Sequence, residues 1–260
     1  MTPKAIVLRT AGTNCEHETA RALTLSGAEA EILHSDRVME DPSRLTEASI
    51  LVFAGGFSYG DDLSAGRVWG HELRTGLREH LGRHVAGGGL VLGVCNGFQV
   101  LVESGLFEPD KAPEERSIAL YANASNHYEC RWVELETADS VCPWLEAGER
   151  MPCPVAHAEG RFVVRDAETL ERLRADRQIA FTYVVPEDGP EYPANPNGSV
   201  AHIAGISDPT GRVLGLMPHP ERNLDPWNHP WWSRLGQRTE GEGLAFYRRM
   251  VEVASATPVG

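Results

Sequence analysis

A cysteine between two glycines follows a fully apolar segment near the middle of the chain. The segment L-V-L-G-V at residues 90–94 leads into C-N-G at residues 95–97, which is the G-x-C-x-G pattern of a strand, a sharp turn and a helix. Small flanking residues permit a strained turn that presents one side chain at the carboxyl end of the strand. The helix N-terminus that follows favours the thiolate form. Cys95 is therefore predicted to be a nucleophile.

A thiolate nucleophile needs a histidine that carries protons and a carboxylate that orients the histidine. The sequence M-P-H-P-E at residues 217–221 follows an apolar segment, so His219 is expected at the end of a strand. Glu221 lies two residues further on and can reach the imidazole, and prolines on both sides of His219 stiffen the backbone. This short motif would also fit a solvated loop, but next to the cysteine turn it indicates a catalytic group.

Attack on a carbonyl carbon also needs hydrogen-bond donors for the oxygen that becomes negative. The glycine-rich sequence G-G-F-S-Y-G-D at residues 55–61 follows another apolar strand, and its N–H groups could face the same crevice as the N–H of Asn96. The segment also fits a plain strand-to-loop turn. It lacks the lysine and the spacing of a phosphate-binding loop.

Apolar segments alternate with helical patterns in the first half of the chain. Strands are predicted at residues 5–8, 30–33, 50–54 and 90–94, and helices at 16–26, 72–85 and 97–103. Helices between successive strands favour parallel pairing, and unbroken apolar strands suit a sheet that is covered on both faces. We therefore expect an α/β fold with a doubly wound, mostly parallel sheet and helices on both faces.

From residue 120 onward the pattern is richer in β-strands, glycine and proline. Strands are expected at residues 129–135, 161–164 and 179–185, a hairpin at 200–206 and 213–217, and a last helix at 243–253. An antiparallel extension of the sheet is the simplest interpretation. No linker or repeat interrupts the sequence, so residues 1–260 are expected to form a single domain.

The composition excludes several classes of protein. Lys and Arg number 24 against 37 Asp and Glu, a net charge of −13, whereas nucleic-acid binding needs clustered cations. No apolar segment approaches the roughly 20 residues that span a bilayer, and the N-terminus is not typical of a signal peptide, which favours the cytoplasm. Five cysteines with no C-x-x-C pair argue against disulfides and a metal site. The cysteines at positions 15, 130, 142 and 153 are predicted to be buried core residues.

Five motifs in order resemble those of the class I glutamine amidotransferases. They are G-G-F-S-Y-G-D at 55–61, G-V-C-N-G-F-Q at 93–99, A-H-A-E-G-R-F at 156–162, N-P-N-G-S at 195–199 and G-L-M-P-H-P-E-R at 215–222. Within that family the match is to the glutaminase subunits of phosphoribosylformylglycinamidine synthase, which act in purine biosynthesis. The resemblance covers nearly the whole chain. It implies a catalytic triad of Cys95, His219 and Glu221.

The same resemblance implies further site residues. The oxyanion donors would be the N–H groups of Gly56 and Asn96. The substrate-binding residues would be Gln99, His157 and Glu159. Ala158 stands where the family pattern has glycine.

Partners and cofactors follow from the resemblance as well. The chain would hydrolyse glutamine through a cysteine thioester and pass ammonia to a larger synthetase subunit, with a third small subunit in the complex. ATP and Mg²⁺ would bind to the synthetase, and no cofactor is expected on this chain. Residues 223–242, with three tryptophans, extend beyond the usual tail and predict either a packed aromatic lid or a surface that faces a partner.

Two other interpretations remain open at this point. Hydrolases and chaperones that share the cysteine turn would act alone and without glutamine, although they lack the P-H-P-E and N-P-N-G-S motifs. A non-catalytic module that only docks to a synthetase would not need the intact triad. Release of ammonia from glutamine, with and without a synthetase subunit, separates these possibilities.

Overall fold

The computed structural model describes residues 2–256, and within that range the short apolar segments form eleven strands. They are β1 (Lys4–Arg9), β2 (Glu29–His34), β3 (Ile50–Phe53), β4 (Leu90–Val94), β5 (Ile118–Tyr121), β6 (Glu129–Thr137), β7 (Arg150–His157), β8 (Arg161–Val164), β9 (Ile179–Tyr183), β10 (Ile203–Ser207) and β11 (Val213–Leu216).

Seven α-helices connect these strands within the same range. They are α1 (Glu16–Leu25), α2 (Ser35–Glu40), α3 (Arg67–Gly76), α4 (Arg78–Ala86), α5 (Asn96–Ser104), α6 (Ala167–Ala175) and α7 (Glu242–Ala256). Helix α1 packs on α7, and α3 packs on α5, so the helices form separate layers, as a doubly wound sheet requires. No helix of residues 2–256 combines the length and the apolar composition needed to cross a membrane.

Nine of the described strands form one mixed sheet. Their order is β2–β1–β3–β4–β11–β10–β9–β6–β7. The five strands from β2 to β11 pair in parallel, and the pairs from β11 to β7 are antiparallel. Strands β5 and β8 form a separate antiparallel pair. The predicted fold class, a mostly parallel sheet with an antiparallel extension, is confirmed.

The carboxyl ends of the parallel strands lie at one edge of the sheet, where doubly wound folds bind their ligands. The segments that follow β1, β3, β4 and β11 at this edge are residues 10–15, 54–60, 95–97 and 217–221. Strands β3, β4 and β11 are buried along their whole length. A rigid, fully covered sheet therefore carries the predicted catalytic segments.

Strand β7 is absent from the sequence prediction because two of its eight residues are proline. Proline has no N–H for a β-ladder and is tolerated at the edge of a sheet. β7 is the last strand of this sheet. Its outer carbonyl groups accept other donors: Pro154 O accepts the backbone N–H of His219 at 2.9 Å, and Pro152 O accepts the Asn223 side chain at 2.8 Å. The unpredicted strand thus positions His219.

The helix predicted over residues 72–85 is wrong in its bounds. The chain forms α3 and α4 instead, with a break at Leu77, whose φ is −125° and ψ is 0°. Leu73, Leu77 and Leu81 are all buried. The helical spacing of apolar residues therefore continues across Leu77, and the sequence gives no sign that the helix is interrupted there. The sequence also does not predict β5, α2 or α6.

The tryptophan-containing segment is only partly packed. Trp227, Trp231 and Trp232 are 62%, 63% and 52% exposed. The Trp231 ring lies 5.9 Å from the ring of His229, which in turn lies 5.1 Å from that of Trp132. Three exposed indoles do not form a packed lid. A surface that faces a partner stays a prediction.

Candidate active site

Cys95 lies at the turn between β4 and α5. Its φ of 53° and ψ of −109° are strained for an L-residue, as in other nucleophile turns. Gly97 permits the turn, because a Cβ there would lie 1.9 Å from the carbonyl oxygen of Phe53. The Cys95 residue is 5% exposed, and its Sγ lies 3.7 Å from the carbonyl oxygen of Ala156. The turn therefore presents the thiol at the N-terminus of α5.

His219 and Glu221 form a buried pair next to this thiol. His219 Nδ1 lies 2.6 Å from Glu221 Oε1, and both residues are 2% exposed. In the described part of the chain, His219 Nε2 has no hydrogen-bond partner. Burial disfavours the charged imidazole, but the Glu221 carboxylate and the Cys95 thiolate outweigh burial and raise the pKa of His219 well above its ordinary value. Next to Cys95, the geometry therefore supports a buried imidazolium that Glu221 stabilises.

A second thiol, which the sequence prediction assigned to the core, lies at the same histidine. Cys15 Sγ, a nitrogen of His219 and a carboxylate oxygen of Glu221 lie within 4.8 Å of one another. The Cys15 thiol donates to Asn14 Oδ1 at 3.2 Å and accepts from Arg222 Nη2 at 3.1 Å. Cys15 is buried, as predicted, but its place beside the triad was missed.

The geometry favours Cys95 over Cys15 as the nucleophile. Burial raises the pKa of the Cys15 thiol, and the residue is only 1% exposed. Cys15 lies just before α1, and its φ is negative, as is ordinary for an L-residue. Cys95, in contrast, lies on the strained turn. A buried, protonated thiol is inert, so Cys15 is better suited to contact His219 than to attack a substrate.

Cys15, His219 and Glu221 are residue types that can hold a metal ion, but their arrangement does not suit one. Tetrahedral zinc, with bonds of about 2.0 to 2.2 Å, holds two ligand atoms about 3.3 Å apart. His219 Nδ1 and Glu221 Oε1 are 2.6 Å apart, the distance of a strong hydrogen bond. The Arg222 guanidinium at Cys15 would also repel a dication. The group fits a hydrogen-bonded triad better than a metal site.

The loop after β1 holds the predicted oxyanion turn. The carbonyl oxygen of Gly55 accepts the N–H groups of Asn14 at 3.3 Å and Cys15 at 3.1 Å. Because the C=O and N–H of a trans peptide point in opposite directions, the N–H of Gly56 points away from this loop. Among the described residues it has no hydrogen-bond partner. The N–H of Asn96 is also free of intrahelical bonds, since Asn96 begins α5.

Gln99 is buried and bonded at both ends of its amide. Its Oε1 accepts from Asn96 Nδ2 at 3.0 Å, and its Nε2 donates to the carbonyl oxygen of Glu159 at 2.5 Å. The structure thus joins three predicted site residues in one chain of hydrogen bonds. In this arrangement Gln99 links the nucleophile helix to the loop after β7.

His157 lies at the end of β7 with its ring buried. Its Nδ1 lies 3.1 Å from Asn123 Oδ1. Burial, with a contribution from the positive charge of His219, lowers the pKa of His157 to about 3. The ring is therefore neutral at neutral pH and donates from Nδ1. Ala158 is not among the residues with positive φ in the described range, so alanine fits where the family pattern has glycine.

The carboxylates of Asp61 and Glu159 interact electrostatically near Asn96 and Gln99. Glu159 Oε2 accepts from Ser64 Oγ at 2.9 Å and from the N–H of Ala65 at 3.3 Å. Burial raises the pKa of Asp61 to about 6, and the charge of Glu159 adds to the effect. Asp61 accepts hydrogen bonds from the N–H of Gly66 and the side chain of Asn96, and no salt bridge joins it to a cation among the described residues. The sequence analysis did not single out Asp61, although it ends the glycine-rich motif.

Comparison with known proteins agrees with this geometry. The sequence profile of the CobB/CobQ-like glutamine amidotransferase domain matches residues 2–253. The phosphoribosylformylglycinamidine synthase subunit PurQ of Dehalococcoides mccartyi is 42% identical over 255 residues, which cover 96% of this chain and 97% of the relative. The subunit of the same name from Methanococcus maripaludis is 43% identical over 232 residues, covering 88% of this chain and 85% of the relative.

Solved structures show the same similarity. A chain in the structure of PurLQS from Thermotoga maritima superposes with a TM-score of 0.71 at 29% identity and covers 97% of this chain and 99% of its own length. A putative GMP synthase protein from Thermoplasma acidophilum, with a TM-score of 0.56 at 15% identity over 98% of this chain and 96% of its own, shares the fold alone. The nucleophile turn, the buried histidine–glutamate pair and these matches together show that the chain belongs to the CobB/CobQ-like glutamine amidotransferase family.

Proposed function

We propose that this chain is the glutaminase subunit of a phosphoribosylformylglycinamidine synthase in de novo purine biosynthesis. The observation that carries the proposal is the position of Cys95, on a strained turn at a helix N-terminus and close enough to a buried His219–Glu221 pair to affect the pKa of His219. This arrangement is suited to acyl transfer through a thioester. Relatives named as PurQ subunits match almost the whole chain, which supports the specific pathway.

The first half of the reaction forms the thioester. The Cys95 thiolate attacks the side-chain amide carbon of glutamine, and the carbonyl oxygen becomes an oxyanion that accepts the N–H groups of Gly56 and Asn96. The imidazolium of His219 donates its Nε2 proton to the leaving nitrogen, and the C–N bond breaks to release ammonia. Glu221 keeps the proton on Nδ1 and thereby holds Nε2 toward the reacting atoms.

The second half hydrolyses the thioester. His219, now neutral, takes a proton from water at Nε2, and the hydroxide attacks the thioester carbon. A second oxyanion forms at the same donors. When it collapses, the C–S bond breaks, the Cys95 thiolate leaves and glutamate is released. The unpaired Nε2 of His219 in the described structure is the group that both half-reactions use.

The substrate's α-amino-acid group would bind on the far side of Gln99. The free N–H groups of Ala158 and Glu159, in the loop after β7, suit the α-carboxylate. The carboxylates of Asp61 and Glu159 suit the α-ammonium, because the repulsion between their like charges is relieved when a cation binds. Gln99 would fix the distance between this end of the substrate and Cys95.

The ammonia is used elsewhere in the complex. The structure named PurLQS from Thermotoga maritima contains a chain similar to this one, which supports two partners, a larger synthetase subunit plus a third small subunit. ATP and Mg²⁺ would bind to the synthetase. The cytoplasmic location and the single-domain organisation stay predictions.

The test is the separation of the two activities. The complex with the synthetase is assayed for product with glutamine and with ammonium salt as nitrogen donors. Cys95→Ala should abolish synthesis from glutamine and leave synthesis from ammonium intact, because only the first needs the thioester. Cys15→Ala is the matched control and should retain glutamine-dependent synthesis. Loss of the ammonium-dependent reaction in Cys95→Ala would contradict the proposal that glutamine hydrolysis and amination occur on separate subunits.

A further inference from the structure

The loop at residues 157–160 has every carbonyl oxygen bonded. His157 O accepts Asn123 Nδ2 at 2.8 Å, and Ala158 O accepts the backbone N–H of Asn123 at 2.8 Å. Glu159 O accepts the side chain of Gln99 at 2.5 Å. Gly160 O accepts Asn197 Nδ2 at 2.8 Å. Carbonyl groups that are all turned into the protein leave the N–H groups to face the other way.

Two N–H groups of this loop are indeed free. Within residues 2–256, those of Ala158 and Glu159 have no hydrogen-bond partner, whereas that of Gly160 donates to Asn123 Oδ1 at 3.0 Å. Successive N–H groups without competing carbonyl oxygens form a concave site for an anion. Such a site matches the α-carboxylate that the proposed substrate carries. The orientation of these peptides therefore decides whether the loop attracts or repels a carboxylate.

Asn123 fixes the first part of the loop. It is 1% exposed, and its Oδ1 accepts both His157 Nδ1 and the N–H of Gly160. Its Nδ2 donates to the carbonyl oxygens of His127 and His157. One buried side-chain amide therefore holds both ends of the loop with three hydrogen bonds and uses a fourth to bind the carbonyl oxygen of His127.

Asn197 fixes the last part and accounts for the N-P-N-G-S motif. It is 0% exposed, and its Nδ2 donates to Gly160 O and to the hydroxyl of Tyr183. Its Oδ1 accepts the backbone N–H and the hydroxyl of Ser199. Since Ser199 Oγ also accepts the N–H of Phe162 at 2.9 Å, the motif holds the chain on both sides of Arg161.

We propose that Asn123 and Asn197 are positioning residues for glutamine binding. Asn123 binds the carbonyl oxygens of His157 and Ala158 through its side chain and its backbone N–H, and Asn197 binds that of Gly160. These bonds keep the carbonyl groups turned inward, so that the loop presents its free N–H groups to the substrate carboxylate. Neither residue touches the reacting atoms. This assignment rests on the proposed function, and it explains why two buried amides so far from Cys95 in the sequence converge on one short loop.

The test is Asn197→Asp, which keeps the shape of the side chain and the oxygen that Ser199 uses. The second oxygen cannot donate, and it would face the carbonyl oxygen of Gly160 and repel it. Binding is measured with a chloroketone analogue of glutamine, which must occupy the pocket before it alkylates Cys95. Iodoacetamide, which has no α-carboxylate, reports on the reactivity of Cys95 alone. We expect the half-saturating analogue concentration to rise at least tenfold, with the iodoacetamide rate unchanged.

Asn195→Asp is the matched control. Asn195 belongs to the same motif and is 2% exposed, but its side chain contacts Gly198, Ser199 and His202 rather than the loop. Asn195→Asp should lose as much thermal stability as Asn197→Asp, but the half-saturating concentration of the glutamine analogue should not change. Equal increases in the two variants would show a general structural effect and overturn the assignment.

Asn123→Asp provides a second, independent variant if Asn197→Asp does not fold. It keeps an acceptor for His157 and Gly160 and loses the donors to the two carbonyl oxygens. The same selective loss of analogue affinity is expected. A folded variant that saturates at the natural concentration would refute the inference. If the natural chain itself shows no saturable alkylation by the analogue, the proposed function fails, and the assignment with it.

Discussion

Gly56→Ala adds one methyl group at the proposed oxyanion donor. The φ of Gly56 is 148°, and an added Cβ would lie 2.7 Å from Thr13 Cα, 2.7 Å from Asn14 N and 2.8 Å from Gly12 O. All three are backbone atoms of the loop that also bonds Gly55 O, so none can move aside as a side chain would. The peptide of Gly56 must therefore shift, and its N–H leaves the position at which it would meet the oxyanion.

The expected loss follows from the energetics of one donor. Removal of a single oxyanion-hole hydrogen bond costs roughly 3 to 4 kcal/mol, or about 10²- to 10³-fold in kcat. The effect should appear in kcat, with little change in KM, since the oxyanion exists only in the transition state and intermediates. The strained φ should also lower the free energy of unfolding by about 1 to 3 kcal/mol.

The assay compares glutamine hydrolysis with alkylation of Cys95 by iodoacetamide. Alkylation needs the Cys95–His219 pair but forms no oxyanion, so Gly56→Ala should alkylate at the natural rate. Gly55→Ala is the neighbouring control. Its Cβ would lie 3.0 Å from His219 Cε1 and 3.2 Å from Cys15 Sγ, so it should slow alkylation as well. A folded Gly56→Ala with kcat within threefold of natural would refute the assignment of this donor.

Two further predictions concern substrate binding. Gln99→Ala should raise the KM for glutamine more than it lowers kcat, because the side chain acts on the substrate's non-reacting end; steady-state kinetics with an unchanged KM would remove Gln99 from the binding site. Because the pKa of Asp61 is raised to about 6, its carboxylate is charged above that pH, and glutamine affinity should fall as pH drops through about 6. Asp61→Asn should weaken binding at pH 8 and abolish this pH dependence. A raised acid pKa disfavours the charged folded form, so Asp61→Asn should also raise the thermal unfolding temperature above pH 6 relative to the natural chain. A natural chain with equal glutamine affinity at pH 5 and pH 8 would contradict this role.

The candidate triad residues stand out in the sequence because the patterns that mark them are local. Cys95 stands between glycines that its own turn requires, and His219 and Glu221 are two residues apart. In the structure His219 Nδ1 lies 2.6 Å from Glu221 Oε1, and the catalytic roles of the three residues stay a prediction. The parallel strands could also be predicted from the sequence, because strands that are buried on both faces have unbroken apolar sequences.

The cysteines show where local reasoning fails. The prediction that all four other cysteines are buried is wrong for Cys130, which is exposed. It holds for Cys15, Cys142 and Cys153, but burial alone did not indicate that Cys15 contacts His219. A buried thiol looks the same in sequence whether it packs in the core or beside a catalytic group.

The sequence by itself determined the fold class and indicated the turn at Cys95 and the candidate triad of Cys95, His219 and Glu221, because each depends on side-chain periodicity or on residues close together in the chain. Only the tertiary structure decided the surroundings of the triad. The order of the strands brings Cys15 to His219, the edge position of β7 lets Pro154 bind the N–H of His219, and the folded chain brings Asn123 and Asn197 to one loop. These contacts join segments far apart in sequence, and their geometry depends on how the whole sheet packs rather than on any local pattern.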